Sequence, residues 1–443
     1  LDINWSSFGE WLDRVRESKP SVNIVPLVGH GSVRAAVMGA DYRRAATSDE
    51  VRAMKRYVEE SMDQGACGIS NGLDYAPNCY STMEESYEVI GTAVDRGGIF
   101  SSHWWRTGLR QGFGSPGLIN GIKQAIEIAI ETGAKLELAH LSPGYLLSPS
   151  STVRLSTCAA EETLDVINQA IEDGVDVSFD VIPNHTTGGV LHVKYLAAVL
   201  EPWLKEAGDL ERLAKNLTAP DLRQEIKDYI LSGKWYSLNP VTQPGWAARI
   251  VIGKTEVKEF AAKTIAEIAD ERGCHPLDAL MDVISSDPYI QTMTPSGSDE
   301  VKRLFYSHPR AMVGIDTFLV DSMAESYVPP YYLPNPNTFG GMARYMKLYA
   351  LGLLGLEEGI KRITSQPAEW LGLKDRGVIA EGMKADIVVF EPDEVTDKGT
   401  DEEPRRYPDG FEWVFVNGKK AMESRVLTAG RSGQVLFARP GVR

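Results

Sequence analysis

Apolar and polar positions change period in a regular way over the first 185 or so residues. The β-branched run 22–28 (VNIVPLV) predicts a strand and stops at Gly29, His30 and Gly31. Thr47-Ser-Asp-Glu50 reads as a capping box, opening a helix whose apolar positions Val51, Met54, Val58 and Met62 share one face. Gly65 ends it, and 67–70 (CGIS) predicts the next strand. A second capping box at Ser81-Thr-Met-Glu84, a stripe through Val89, Ile90 and Ala93, and a stop at Gly97-Gly98 lead to the strand 99–103 (IFSSH). Two further amphipathic runs end at Gly133 and Gly174, each followed by a strand, 136–140 (LELAH) and 175–181 (VDVSFDV). Strand and helix alternating in this way make consecutive βα units and a parallel sheet. Repeated right-handed crossovers point to a TIM-like barrel or a doubly wound sheet.

The rhythm breaks over 194–309, where helices are predicted at 221–231, 258–272 and 276–285. It returns at 311–316 (AMVGID), before a Pro-rich loop and a helical stretch from Met342 to Ile363. Beyond Pro367 the chain turns to Gly-punctuated strands at 385–390, 413–416 and 434–437, with Asn417-Gly418 as a hairpin turn.

Composition narrows the function classes. A chain of 443 residues with 43% hydrophobic and 24% charged residues is a globular protein of more than one small core, not a disordered or fibrous one. Acidic residues outnumber basic ones, 61 to 46, and no Lys/Arg cluster appears, which argues against nucleic-acid or anionic-membrane partners. Four cysteines without a C-x-x-C pattern, and no apolar run near the roughly 20 residues of a membrane span, suit a cytoplasmic protein.

Parallel α/β folds carry their chemistry at the carboxyl ends of strands. That rule selects His30, Ser70, His103, His140, Asp180, His185 and Asp316, a set holding four of the seven histidines. His103 and His140 end successive strands, so their imidazoles are expected side by side, within reach of one ion. With Asp316 they make a nitrogen–oxygen donor set suited to Zn²⁺ or a similar divalent ion. A lone strand-end histidine is more often a hydrogen-bonded structural residue; the shared position is what favours ligation. His30 and His185 read as substrate contacts, Trp104 and Trp105 as a pocket wall, and Cys67 as a packed thiol.

At these residues the chain resembles the amidohydrolase superfamily and, within it, the N-acyl-D-amino-acid deacylase (D-aminoacylase) group. The resemblance rests on PLVGHGSVRAAVMG (26–39), GACGISNGLDYAPNCYSTMEE (65–85), FSSHWWR (100–106), LELAHLSPG (136–144), AMVGIDTF (311–318) and PAEWLGLKDRGVIAEGMKADIVVFEP (367–392). It implies an α/β fold, a TIM-like (β/α)8 metal-dependent hydrolase barrel with a small accessory β-sandwich. About six of the eight strands fall in this sequence. Barrel units occupy 1–193, a mostly helical insertion over the active site 194–309, the last barrel strand and its helices 310–366, and part of the sandwich 367–443. The resemblance also implies that His103 and His140 ligate one or two divalent ions, zinc foremost, with Asp316 as ligand and general base. The metal then polarises the scissile carbonyl and acidifies a bound water, while the aspartate moves the proton to the leaving nitrogen of an amide or cyclic amide.

Two departures shape the expectation. No His-x-His pair occurs, nor the ligating cysteine of the strand that follows it in the family. A barrel short of two strands leaves two parallel edges open, so the expectation is a second polypeptide supplying those strands within an oligomeric, two-chain enzyme. Ser142 and Asn337 stand where the deacylases carry a lysine and an arginine that grip the substrate carboxylate. A small neutral or cyclic amide, or an aromatic acyl group against Trp104 and Trp105, fits that exchange better, with Arg106 or Arg344 as remaining cations. Two other readings stay open: a non-catalytic scaffold subunit, and a hydrolase of a carbon–carbon bond in a cyclic ketone.

Overall fold

The structure, a computed structural model, describes residues 4–73, 77–104, 118–141, 153–184, 186–190, 203, 206–232, 245–253, 255, 257–295, 298–318, 322–325, 334–400 and 403–438. An N-terminal helix, α1 (Phe8–Glu17), precedes β1 (Leu27–Gly29) and α2 (His30–Met38). Helix α3 (Ser48–Gln64) begins as its capping box predicts: the Thr47 hydroxyl accepts from the Glu50 N–H, and the Glu50 carboxylate accepts from the Thr47 N–H. Its stripe of Val51, Met54, Val58 and Met62 is buried. After β2 (Gly68–Gly72), the cap of α4 (Met83–Val94) falls one residue later than the pattern suggests. Thr82 makes it, because the Ser81 hydroxyl is already donating to the Asn78 carbonyl.

Strands β3 (Ile99–His103), β4 (Leu136–Leu138) and β5 (Val177–Val181) follow, separated by α5 (Leu118–Thr132) and α6 (Val153–Glu172). The chain then makes β6 (Thr186–Val190), β7 (Val251–Ile252) and β8 (Gln291–Pro295), and returns to the main sheet with β9 (Ala311–Val313). The main sheet is parallel throughout, in the order β1-β2-β3-β4-β5-β9. Its outer face is apolar, with Phe100, Leu136, Leu138 and Phe179 fully buried in the core shared with the helices. On the opposite face, Ser70, Ser101, Glu137 and Ser178 stand in register across four strands. That alternation follows from the two-residue period of a strand.

The segment between β5 and β9 differs from the helical expectation for 194–309. It contains helices Leu210–Asn216, Pro220–Leu231, Ile265–Arg272 and Pro276–Ser286, but also an antiparallel sheet in the order β6-β8-β7. Those strands read TTGGV, VI and QTMTP, too short or too rich in glycine and threonine to announce themselves. The helix expected from residue 258 begins only at Ile265, where Thr264 and Glu267 form a capping box after the positive φ of Ala262. A separate hydrophobic core, including Leu217, Phe260, Ile268 and Leu280, holds this segment together.

After β9, helix Pro336–Tyr345 runs without a break into the π-helical stretch Met346–Leu354. The C-terminal part is an antiparallel sheet of β10 (Ile387–Phe390), β11 (Phe411–Val416), β12 (Lys419–Glu423) and β13 (Val426–Leu427). Asn417 and Gly418, both at positive φ, make the predicted turn between β11 and β12. The strand expected at 434–437 contributes only a parallel bridge from Val435 to Ile24. Among the described residues no helix is long and apolar enough to cross a membrane.

Candidate metal and catalytic site

His103 is the last residue of β3, and His140 lies two residues beyond β4. Pairing of the two strands in parallel register brings the imidazoles together: their centroids are 4.6 Å apart and the rings meet edge to face at 73°. His140 is 7% exposed. Its φ of 37° ends the strand earlier than the LELAH run predicts, turning the chain away from the sheet at the ring-bearing residue. A left-handed backbone costs a non-glycine residue about 1–2 kcal/mol, and neighbouring contacts hold it here. The His140 N–H donates to Asp180 Oδ1 at 2.9 Å, and the Leu141 N–H donates to the Asp180 carbonyl at 2.7 Å.

Asp180 on β5 and Glu137 on β4 form a carboxyl pair on the inner face of the sheet. The two carboxyls lie close enough for each to shift the other's titration. Ser101 Oγ donates to Glu137 Oε2 at 2.5 Å. Burial, and then the Glu137 charge, hold the Asp180 carboxyl well above the usual carboxylate range. Burial pushes the Glu137 carboxyl up as well. Glu137 escapes sequence inspection because Leu-Glu-Leu reads equally well as a strand with a solvent-facing glutamate.

Asp316 lies three residues beyond β9, exposed and at φ 47°. Helix Pro336–Tyr345 steadies its turn on both sides. Asn337 Nδ2 donates to the Ile315 carbonyl, and the hydroxyls of Thr317 and Thr338 meet at 2.7 Å. Asn337, expected as a substrate contact, is 3% exposed and gives its Nδ2 to the loop that carries Asp316. Among the described residues no group of three or more His, Cys, Asp or Glu side chains is placed to hold a metal ion. Two imidazoles with ring centroids 4.6 Å apart offer borderline nitrogen donors that fit a divalent ion as part of a ligand set. A zinc site takes at least three protein ligands, so the histidine pair is part of one.

Other expected contacts change role. Trp104 does not wall a pocket: it is fully buried in the main core, with its indole N–H donating to the Ala139 carbonyl at 3.2 Å. His30 is no substrate contact either, for it opens α2 fully buried, its Nε2 3.0 Å from Glu85 Oε1. The Asn78 amide is oriented by the Gly72 N–H, which donates to Oδ1, so Nδ2 donates to His30 Nδ1 and His30 donates to Glu85. Arg34 completes this knot by donating to the other Glu85 oxygen. Burial works to raise the Glu85 carboxyl, but the hydrogen bond from His30 and the Arg34 guanidinium keep it below its ordinary range. Arg344 is committed to the Pro183 carbonyl, Asp299 and Asp397. Trp105, Arg106, Ser142 and His185 lie outside the described residues.

Comparison with known proteins agrees with this architecture. A family profile described as "Amidohydrolase family" matches residues 242–421. D-aminoacylase of Alcaligenes xylosoxydans xylosoxydans is 27% identical over 97% of this chain and 73% of its own length. N-acyl-D-glutamate deacylase of the same organism is 26% identical over 94% of this chain and 70% of its own. Among solved structures, N-acyl-D-glutamate deacylase from Bordetella bronchiseptica, complexed with zinc and a phosphonate inhibitor, superposes with a TM-score of 0.71 at 26% identity. That match covers 98% of this chain and 76% of the other. A crystal structure of D-aminoacylase gives a TM-score of 0.69 at 25% identity, covering 97% and 75%. Residues 242–421 match the amidohydrolase family profile, and the relatives that resemble this chain along nearly its whole length include deacylases, which act on carbon–nitrogen bonds. The chain's six-stranded parallel sheet is the α/β TIM-barrel sheet of that family.

Proposed function

We propose that this protein is a metal-dependent hydrolase of an amide or cyclic amide, with its chemistry at the His103–His140 end of the barrel. The observation that carries the reading is the pair itself, two imidazoles from adjacent strands set edge to face at 4.6 Å. His103 and His140 would hold the ion, zinc by preference for such donors, and donors from outside the described residues would complete its shell. When bound, such an ion supplies Lewis acidity to the scissile carbonyl and to the attacking water. Asp316 is assigned as the general base: it takes the proton of that water and delivers it to the leaving nitrogen as the carbon–oxygen bond forms and the carbon–nitrogen bond breaks. A carboxylate and an amine leave.

The polar side chains argue for a small substrate that is neutral where the deacylases grip a carboxylate. Asn337 and Ser142 carry no charge, and Arg344 is already bound to two carboxylates and a carbonyl. Trp105, Arg106 and His185 remain proposed substrate contacts. The same reading assigns 1–193 and 310–366 to the barrel, 194–309 to a unit over its mouth and 367–443 to the accessory sheet. We further assign the strands that would close the barrel to polypeptide outside these 443 residues. The matched relatives hold their full length in one chain and lend no support to a separately encoded subunit.

The test is metal content together with hydrolysis. His103→Ala and His140→Ala are each expected to lower zinc, measured by elemental mass spectrometry, from about one or two ions per active assembly to near none. Asp316→Asn is expected to keep the metal and lose about 10²–10⁴ in kcat on the best of a panel of N-acyl amino acids and cyclic amides. Full zinc occupancy in both histidine variants would overturn the assignment. A wild-type protein without metal, whose Tm ignores chelators, would favour the scaffold reading.

A further inference from the structure

We propose that Asp180 is a positioning residue for His140: wedged between the ends of β4 and β9, it holds the His140 backbone in its left-handed turn and thereby sets the direction of the imidazole. The inference rests on the proposed role of His140 and extends it to a residue that acts through the His140 backbone.

Asp180 grips two consecutive amides at the point where the chain leaves β4. Its carboxylate takes the His140 N–H at 2.9 Å and its carbonyl takes the Leu141 N–H at 2.7 Å. Those two bonds bracket the residue whose φ is 37°. One of the two comes from the Asp180 side chain and the other from its main chain, so a substitution at 180 removes the first and leaves the second.

A residue that positions another must itself be fixed, and Asp180 is fixed from three sides. Glu137 hydrogen-bonds its carboxyl group and is in turn held by Ser101. Gly314, just past β9, packs directly against it: a Cβ there would lie 2.0 Å from Asp180 Oδ1 and 2.4 Å from its Cγ. The backbone that follows Asp180 is tied at each carbonyl. Val181 accepts from the Tyr306 hydroxyl at 2.7 Å, Ile182 from Lys302 Nζ at 2.8 Å, Pro183 from Arg344 Nε at 3.1 Å, and Asn184 again from Lys302. Four successive carbonyls pinned by side chains from two helices make a rigid mount for the carboxylate that precedes them.

Amide hydrogen exchange read by mass spectrometry tests this without any metal. In Asp180→Ala, peptides ending at residues 140 and 141 are expected to exchange at least about tenfold faster than wild type, while peptides from α3 are unchanged. Asp180→Asn keeps an Oδ1 acceptor and is expected to restore near-wild-type exchange. Gly314→Ala, which presses on the carboxylate from the opposite side, is expected to loosen the same two amides and serves if Asp180→Ala does not fold. In parallel, titration with Zn²⁺ is expected to show about 10–100-fold weaker binding in Asp180→Ala and little change in Asp180→Asn. Unchanged exchange at 140–141 in both Asp180→Ala and Gly314→Ala would overturn the proposal, as would an Asn variant as loosened as the Ala variant. If wild type binds no Zn²⁺ while the exchange pattern is as expected, the metal reading fails and the positioning role stands.

Discussion

His140 and Asp316, the two residues assigned to metal and proton, are both held at positive φ just beyond a strand end. Such conformations persist only where neighbours over-determine them, and here Asp180 does so for one and Asn337 for the other. His30 occupies a similar place in the sequence yet does something else, because its ring is captured by Glu85 and Asn78 beneath α2. Glu85→Gln is expected to destabilise the protein by about 3–5 kcal/mol at pH 7, since Arg34 then keeps a buried charge without its counter-ion; urea denaturation measures it. The Glu85 carboxyl is depressed in the native state, so its contribution is complete above the unfolded carboxylate range near pH 4.3. It is lost as the pH falls below that range, and wild type and variant should converge in acid. Parallel curves down to pH 3 would show that Glu85 contributes nothing through its charge. The positions of His103 and His140 were legible because strand ends on consecutive βα units are neighbours by construction of the fold. The fates of Trp104, His30 and Asn337 were not, because whether each turns inward depends on partners 22 to 55 residues away, such as Glu85 for His30.

At the scale of elements, the strands and their order could be read from periodicity, while their ends could not. Residues 139–140 and 314–316 have strand-like composition, but the hydrogen bonds that take their backbone out of the sheet come from β5 and from helix Pro336–Tyr345. The helices beside β5 carry more than packing. Helix Asp299–Ser307 supplies Lys302 and Tyr306 to the strand end, and the π-helical stretch brings Tyr349 against Tyr306, ring centroids 4.4 Å apart and tilted by 37°, while donating to Asp299 at 2.6 Å. Widened helical turns of this kind are rare and occur mostly at functional sites. Lys302 is 3% exposed, and burial, then the Arg344 charge, push its ammonium down to about 7. The unfolded chain therefore binds more protons than the native one between about pH 7 and 10, and stability rises with pH across that window. Lys302→Met is expected to flatten the rise, read as the difference between wild-type and variant urea midpoints at pH 7 and 9. Midpoints that shift in parallel would refute a buried, proton-releasing Lys302.

At the scale of the whole molecule, the two edges of the main sheet are what matter. β1 pairs only with β2, and β9 only with β5, among the described residues. Parallel sheets in α/β barrels close on themselves, and an unpaired edge recruits other strands. The 443-residue polypeptide by itself is therefore expected to self-associate with rising concentration in light scattering, and to become a single species when two further strands are supplied. A monodisperse, cooperatively folding monomer without them would contradict the assignment of the closing strands.

The insertion also bears on how the sheet is assembled. β5 and β9 are neighbours across roughly 130 residues of chain, a long loop to close before any reward arrives. The insertion has its own core, and β6 pairs with β8 near its two ends, so once folded it draws those ends together and leaves only about 20 free residues to close. By the logarithmic cost of loop length this lowers the entropic barrier to the last strand pairing by about 1–2 kcal/mol. The insertion would thus act as a splint if it forms first and β9 docks after it.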